Sequence, residues 1–175
     1  PYACGTMIHP YIDCARQLRD QGLSSQDVDK IECETAEGIL HRLWEPLERK
    51  QTPANGYSAK FSIPFGVALG EASVKDAELL RVSQLVSYVV DPQNPYPKQF
   101  TGHVRVHLKN GRVLEARQGH FRGGVDAPLS DQDLRAKYHA NCAYGGWSES
   151  LASQVEARLQ SLFEADRIDL SLLQQ

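Results

Sequence analysis

The stretch Val104-Arg105-Val106-His107-Leu108-Lys109-Asn110-Gly111-Arg112-Val113 carries the strongest fold signal in the chain. Val104, Val106 and Leu108 alternate with polar residues, which is typical of a strand with one buried face. Asn110-Gly111 follows directly and is the preferred central pair of a two-residue hairpin turn. The sequence therefore predicts an antiparallel β-hairpin from Val104 to Gln118.

Two further stretches have the features of strands. Ile31, Cys33 and Thr35 alternate with charged side chains, which indicates a half-buried strand. The run from Val86 to Val90 is short and rich in β-branched residues, and it stops at Asp91-Pro92. The closely spaced prolines that begin with Pro92 predict an extended, irregular connection to the hairpin.

Helical patterns lie between and after these strands. Apolar residues at helical spacing predict a helix from Ile8 to Arg19, which Gly22 ends. Ser62 is placed to cap a second helix, with Pro64 in its first turn. The other features are the apolar positions Phe61, Phe65, Ala68 and Leu69 of that second helix, a loop from Thr52 to Gly56, a helical turn from Asp76 to Leu80, a capping-box start at Ser130-Asp131-Gln132-Asp133 for a helix to about Ala143, and a last helix with Leu151, Val155, Leu159 and Leu162 on one face.

The order of these elements lacks the regular strand–helix alternation of a doubly wound sheet. It predicts an α+β fold, a two-layer α/β sandwich in which helices cover one face of a mainly antiparallel sheet. The length of 175 residues suits one well-buried core, so we expect a single domain over residues 1–175. The pattern does not fix the order of the strands.

Composition excludes some classes of function. The net charge is -3 and no run of basic residues forms a stripe, so a nucleic-acid partner is not expected. No apolar run approaches the roughly 20 residues of a membrane span, and no export signal is visible. We therefore expect a soluble, cytoplasmic protein without membrane contact. Free cysteines without metal-binding spacing are expected as buried thiols at Cys4, Cys14, Cys33 and Cys142.

Two histidines of the hairpin invite a metal assignment. His103 and His107 are four residues apart on an extended strand, a span of roughly 13 Å, so they cannot share one ion. We interpret both, together with Arg105, as the solvated face of the hairpin.

Several short motifs in a fixed order point to a known family. They are Pro1-Tyr2-Ala3-Cys4-Gly5-Thr6-Met7-Ile8-His9 followed by Pro10-Tyr11-Ile12-Asp13, then Ala59-Lys60-Phe61-Ser62-Ile63-Pro64-Phe65, Val89-Val90-Asp91-Pro92, the hairpin with Asn110-Gly111-Arg112, Arg122-Gly123-Gly124, Pro128-Leu129-Ser130 and Leu134-Arg135-Ala136-Lys137-Tyr138. In order and spacing this series resembles the MmgE/PrpD family, whose best-known members are 2-methylcitrate dehydratases. The resemblance extends over nearly the whole chain.

The resemblance implies an architecture. Family members are two-domain proteins, usually dimers, in which a large helical domain and a smaller α/β lid enclose the active site. This chain corresponds to the C-terminal lid, and the helical domain is absent from it. A lysine that commonly precedes the position of Pro1 in the family is absent as well. We therefore expect the isolated chain to be inactive and the full-length polypeptide to be a homodimer.

The resemblance also implies functional residues in the first nine positions, which lie in the family's active site. His9 is a candidate acid, base or hydrogen-bond donor, although a lone histidine bonded to nearby backbone is an equally good interpretation. The neighbouring candidates for substrate contact are Tyr2, Cys4, Gly5 and Thr6. Some relatives carry a side chain in place of Gly5 that reaches the substrate, so this chain departs from them there.

Further candidates lie at a helix start and in a glycine loop. Lys60 and Ser62 stand where free backbone N–H groups favour an anion, which suggests a carboxylate cradle; an exposed lysine beside a capping serine is the alternative. Phe65 stands where some characterised relatives have a tyrosine. Arg122 before Gly123-Gly124 offers a guanidinium to a carboxylate, or else belongs to a plain surface loop.

These features together predict the lid of a lyase that needs no metal or cofactor and dehydrates a 2-methylcitrate-like polycarboxylic acid in propionate catabolism. Such chemistry removes a proton next to a carboxylate and stabilises the negative charge that forms. Two related activities remain open, a cis-aconitate decarboxylase-like and an iminodisuccinate epimerase-like reaction. A stand-alone carboxylate-binding module is the alternative outside catalysis.

Overall fold

The computed structural model describes residues 2–68 and 74–161, and the chain divides into two units between Pro128 and Leu129. The first unit contains, in chain order, α1 (His9–Asp20), β1 (Val28–Thr35), α2 (Leu40–Leu43), α3 (Leu47–Gln51), α4 (Gly56–Ala59), α5 (Ile63–Val67), α6 (Ala77–Gln84), β2 (Val86–Val90), β3 (Gly102–Leu108) and β4 (Val113–Gln118). The second unit contains α7 (Asp131–Tyr144) and α8 (Glu149–Gln160). Short 3-10 turns at Thr6–Ile8, Ser25–Asp27 and Glu37–Ile39 complete the described elements. No helix of the described residues is long and apolar enough to cross a membrane.

The strands form one sheet in the order β2-β1-β3-β4. β1 pairs antiparallel with β3, and β3 pairs antiparallel with β4. β1 and β2, however, are parallel, with Ile31 opposite Val86 and Thr35 opposite Val90. The α+β prediction is confirmed, but the sheet is mixed rather than mainly antiparallel. The reason is that the chain leaves β1 through a long connection, which includes the described helices α2 to α6. It then re-enters the sheet in the same direction, and parallel strands need such a long crossover.

The hairpin is present where the sequence predicts it, with a different turn. The carbonyl of Leu108 accepts from the N–H of Gly111 at 2.9 Å, and the N–H of Leu108 donates to the carbonyl of Arg112 at 2.8 Å. Three residues therefore form the loop. Gly111 has a φ of +84°, whereas Asn110 does not have a positive φ. The two-residue turn that Asn-Gly favours needs a positive φ at both positions. The turn therefore centres on Lys109-Asn110, and Gly111 supplies the left-handed residue that follows it.

The two faces of the sheet differ in character. Ile31, Cys33, Val104 and Val106 point inward and are at most 3% exposed, and α1 packs over β3 and β4 on this side. The outer face carries charged residues, as expected. His103 is an exception to the predicted solvated face, because it is only 6% exposed. Glu34 and Glu115 lie against its two ring nitrogens, at 2.5 Å from Nδ1 and 2.7 Å from Nε2, and these carboxylates exclude water from the ring.

The helix α1 follows the predicted pattern and ends before Gly22, which has a φ of +90°. Its N-terminal end lies directly against β3. A Cβ atom at Gly102 would be 2.5 Å from the carbonyl carbon of Pro10, so only glycine allows this approach. This contact fixes the start of α1 on the sheet.

The segment between β1 and β2 is more helical than the sequence indicates. α2, α3 and α4 have no counterpart in the prediction, and α4 begins at Gly56, where the predicted loop ends. α5 is capped by Ser62 as predicted, but it is only five residues long, and Leu69 lies outside the described residues. The predicted turn from Asp76 to Leu80 is the first half of α6, which Asp76 caps.

The described residues of the second unit, 129–161, form a pair of helices. Ser130 and Asp133 form the predicted capping box at the start of α7. Tyr138 on α7 donates a hydrogen bond to the carbonyl of Ala152 on α8 at 3.0 Å. Glu156 on α8 pairs with Arg135 and His139, each at 2.9 Å. The last helix is thus present, with Leu162 outside the described residues.

Candidate functional site

The segment from Tyr2 to His9 runs beside the turn that precedes α5. The N–H of Gly5 donates to the carbonyl of Lys60 at 2.9 Å, which joins two parts of the chain that the sequence singles out separately. Thr6 is exposed and begins the 3-10 turn that leads into α1. Pro1 lies outside the described residues.

Three side chains meet at one carboxylate oxygen beside this segment. The hydroxyl of Tyr2 donates to Oδ1 of Asp13 at 2.6 Å. Nε of Arg122, from the loop after β4, lies 3.5 Å from the same oxygen, and Nη2 of Arg122 donates to the Tyr2 hydroxyl oxygen at 3.5 Å. Tyr2, Asp13 and Arg122 therefore form a closed triangle of polar contacts, which we call the Asp13 triangle.

The environment keeps the Tyr2 hydroxyl protonated. Burial raises the pKa of Tyr2, and the hydrogen bond to Asp13 raises it further, because ionised tyrosine could not donate to a carboxylate. The guanidinium carbons of Arg16 and Arg122 each lie 5.9 Å from the centre of the Tyr2 ring. The Asp13 triangle therefore combines the carboxylate of Asp13 with a Tyr2 hydroxyl that donates its proton to it. The positive charges of Arg16 and Arg122 lie close to the Tyr2 ring.

His9 lies next to the triangle. Its ring stands edge-on to the ring of Tyr2, with centroids 5.2 Å apart. Nε2 lies 3.3 Å from the carbonyl oxygen of Cys4, and the buried Nδ1 has no hydrogen-bond partner within residues 2–68 and 74–161. Burial lowers the pKa of His9, so the neutral imidazole is favoured near pH 7. If Nε2 carries the proton for the Cys4 carbonyl, Nδ1 carries the lone pair of a base.

Cys4 and Lys60 form a second pair of neighbours. Burial raises the pKa of the Cys4 thiol to about 11, while the charge of Lys60 acts in the opposite direction. Cys4 is thus a neutral thiol near pH 7 rather than a reactive thiolate. Lys60 itself is exposed, and its ammonium group is accessible to an anion.

Ser62 and Phe65 are committed to the fold. Ser62 is fully buried; its hydroxyl accepts from the N–H of Phe65 at 3.0 Å and donates to the carbonyl of Lys50 at 2.5 Å. Phe65 is 7% exposed. The predicted contact of these two residues with substrate is not tested by this arrangement and stays a prediction, but both side chains already have structural roles.

The structure thus brings Tyr2, His9 and Arg122 together and places Cys4 and Gly5 beside Lys60. Sequence reasoning missed Asp13. The signal for it was its spacing, because residues i and i+4 share one face of a helix and Asp13 follows His9 by four positions. Within the described residues, no group of three or more His, Cys, Asp or Glu side chains has the geometry to hold a metal ion.

One comparison with known proteins gives a match. The family model described as the MmgE/PrpD C-terminal domain matches residues 2–161. No curated protein matches the chain.

Proposed function

Because the chain belongs to the MmgE/PrpD family, as a C-terminal domain of it, we propose that it is the lid of a lyase that dehydrates a 2-methylcitrate-like polycarboxylic acid. The family includes lyases and dehydratases. The observation that carries the proposal for this chain is the imidazole of His9, whose pKa burial lowers and whose ring lies beside the Asp13 triangle. The domain assignment of residues 1–175 as one lid, with a separate helical domain elsewhere in the polypeptide, is part of the same proposal.

The reaction needs a base, an acid and positive charge. The base removes the proton from the carbon next to a carboxylate, and the electron pair of that C–H bond forms the new C=C bond. The C–O bond of the hydroxyl on the neighbouring carbon breaks, and the leaving oxygen takes a proton from the acid and departs as water. Cationic groups stabilise the enolate-like charge that develops on the carboxylate.

We assign the base to His9. Its pKa is lowered by burial, so the ring enters the reaction without a proton on one nitrogen. The carbonyl of Cys4 faces Nε2, which orients the ring. We assign the acid to the helical domain that the family resemblance implies.

We assign recognition of the substrate carboxylates to Arg122 and Lys60. A guanidinium matches the planar shape of a carboxylate, and Arg122 is held by contacts with Tyr2 and Asp13. The exposed ammonium of Lys60 adds a second cation beside the backbone of Gly5. Two cations suit an acid with more than one carboxylate. This route uses groups of the polypeptide alone and asks for no cofactor. A cytoplasmic, homodimeric enzyme of propionate catabolism is the setting we propose for it.

The test is proton NMR in D₂O of the full-length polypeptide, incubated separately with 2-methylcitrate, cis-aconitate and iminodisuccinate. We expect the methyl doublet of 2-methylcitrate to give way to the methyl singlet of an alkene, because both carbons of the new C=C bond are fully substituted. For His9→Gln we expect the rate of this change to fall by about 10²- to 10⁴-fold, the range that general base catalysis contributes. His41→Gln is the matched control, since His41 is exposed on α2.

Other outcomes of the same experiment would redirect the assignment. Loss of carboxylate from cis-aconitate would indicate a decarboxylase, and deuterium exchange in iminodisuccinate without elimination would indicate an epimerase. Saturable binding of an acid without any chemical change would support a carboxylate-binding module instead. Full activity of His9→Gln would refute the role of His9.

A further inference from the structure

We propose that Asp13 is a positioning residue of this site, which holds the Tyr2 hydroxyl and the Arg122 guanidinium in the orientation that receives a substrate carboxylate. The inference rests on the proposed function, because it assigns Arg122 to the same substrate. It adds a residue that touches neither the substrate nor the reacting atoms.

Asp13 is buried at a cost. The residue is only 7% exposed, and an ion in such a place is costly unless its partners compensate for the lost water. Oδ1 has the Tyr2 hydroxyl at 2.6 Å and Arg122 Nε at 3.5 Å. Oδ2 is buried without a hydrogen-bond partner among the described residues. Apolar side chains often stabilise such buried positions as well as an ion does, so stability is a weak reason for a carboxylate here.

The hydrogen bonds of the triangle have a fixed direction. The Tyr2 proton is donated to Asp13, so the Tyr2 oxygen is left as an acceptor and receives Nη2 of Arg122. Asp13 therefore acts on Arg122 in two ways, by an ion-pair contact at Nε rather than a hydrogen bond, and through the Tyr2 hydroxyl at Nη2. Contacts at two different nitrogens restrict the orientation of a guanidinium more than a single contact does.

The three residues of the triangle come from different parts of the chain. Asp13 lies on α1, which Gly102 lets rest directly on β3, whereas Tyr2 precedes that helix and Arg122 follows β4. Asp13 is thus the one member of the triangle on a regular element, and it ties two irregular segments to it. Sites whose side chains are anchored on rigid elements keep their geometry better than sites built from loops alone.

The experiment compares full-length wild type with Asp13→Asn, Tyr2→Phe and the double variant in steady-state kinetics on 2-methylcitrate. We expect Asp13→Asn to lower kcat/KM by about tenfold or more, mainly through a higher KM, because the carboxylate meets a misplaced guanidinium. We expect the double variant to lose little beyond the worse single variant, since both act through one triangle. Asp20→Asn is the matched control, an exposed aspartate of α1 that pairs with Arg19.

A spectroscopic readout separates positioning from a purely structural role. The ionisation of Tyr2, followed by NMR of ring-labelled tyrosine, should occur at lower pH in Asp13→Asn than in wild type, because the carboxylate charge that opposes it is gone. Asp13→Glu keeps the charge and provides a second variant if Asp13→Asn does not fold.

Three results would overturn the inference, and they are distinguishable. Unchanged KM and kcat in folded Asp13→Asn would refute the role of Asp13 while leaving the lyase intact. Losses that multiply in the double variant would show that Asp13 and Tyr2 act independently. Wild type that transforms none of the three acids would remove the proposed function, and the inference with it.

Discussion

At the scale of single residues, Lys60 and Ser62 are close in sequence but have different roles. The Ser62 hydroxyl uses its donor and an acceptor inside the protein, on the carbonyl of Lys50 and the N–H of Phe65. The side chain of Lys60 is exposed, whereas its backbone is hydrogen-bonded, with the carbonyl accepting from the N–H of Gly5 and the N–H donating to the carbonyl of Tyr57. A buried cap and an exposed cation should therefore respond differently to substitution.

We expect Ser62→Ala to lower the free energy of unfolding by about 1–3 kcal/mol, since it removes an N-cap and leaves buried polar groups without partners. Urea unfolding of the variant measures this. Ser58→Ala on α4 is the control, because the backbone N–H of Ser58, rather than its hydroxyl, takes part in the cap by Asn55. Unfolding of Ser62→Ala at the wild-type midpoint would contradict the structural role of the hydroxyl.

Lys60→Ala, by contrast, should leave the unfolding midpoint unchanged and raise KM.

The same scale shows what sequence reasoning reaches in the site. His9 could be predicted because it stands in a recognisable motif, and its relation to Tyr2 is local. Predicting Asp13 would have required knowing that Arg122, from a loop far along the chain, contacts this face of α1. No periodicity in the sequence indicates that long-range contact. The sequence therefore indicated the candidate base, His9, but not the carboxylate that contacts Tyr2 and Arg122.

At the scale of elements, the outer face of the sheet is held by an ionic network across β1, β3 and β4. Arg105 contacts Glu34 closely and lies 3.6 Å from Glu115, while His103 lies between the same two carboxylates. Burial alone would raise the pKa of Glu34, but its hydrogen bonds with His103 and Arg105 outweigh burial and lower it. The pKa of Glu115 is lowered by Arg117 and then by His103.

These shifts predict a loss of stability in acid. A glutamate whose pKa is lower in the folded state contributes stability above its unfolded pKa of about 4.3, and this contribution disappears as the pH falls through the folded pKa. Urea midpoints between pH 7 and pH 3 should therefore fall, and the fall should be shallower in Glu34→Gln. The control is Glu48→Gln, an exposed position on α3. Equal slopes in wild type and Glu34→Gln would contradict the network's contribution.

The hairpin and the parallel pair show why element prediction succeeds locally and fails at long range. Residues close in sequence decide β3, β4 and their turn, so the alternation from Val104 to Leu108 was sufficient. The direction of β2 depends on the path through α2 to α6, and the short helices in that path have too few residues to show a period. The mixed sheet is the consequence of this unpredicted path.

At the scale of the whole molecule, the central strand β1 is the one whose partners are most distant. Ile31 lies opposite Val86 on one side and opposite Val106 on the other, whereas β3 and β4 are neighbours in sequence. Closing long loops costs entropy before the contacts form, which slows such pairings. In the first unit, the hairpin of β3 and β4 is therefore formed by residues close in sequence, whereas β1 pairs only with residues far along the chain.

We expect the amides of β3 and β4 to gain protection before those of β1 during refolding. Pulse-labelled hydrogen exchange read by NMR distinguishes Val106 and Ala116 in the hairpin pair from Cys33 in β1. Cys33 is fully buried in the folded protein, so its amide marks the time at which β1 joins the sheet. Simultaneous protection of all three amides would contradict this order.

The position of β1 also has a consequence during synthesis. A ribosome makes the chain from its N-terminus at about 5–20 residues per second, so β1 leaves the exit tunnel on the order of ten seconds before β3 is complete. Throughout that interval Ile31 and Cys33, both at most 3% exposed in the finished sheet, have no strand to cover them. The glutamates that alternate with them, Glu32 and Glu34, place charges along a newborn apolar strand. We infer that these two glutamates, which pair with Arg105 in the folded protein, first reduce aggregation of the nascent chain.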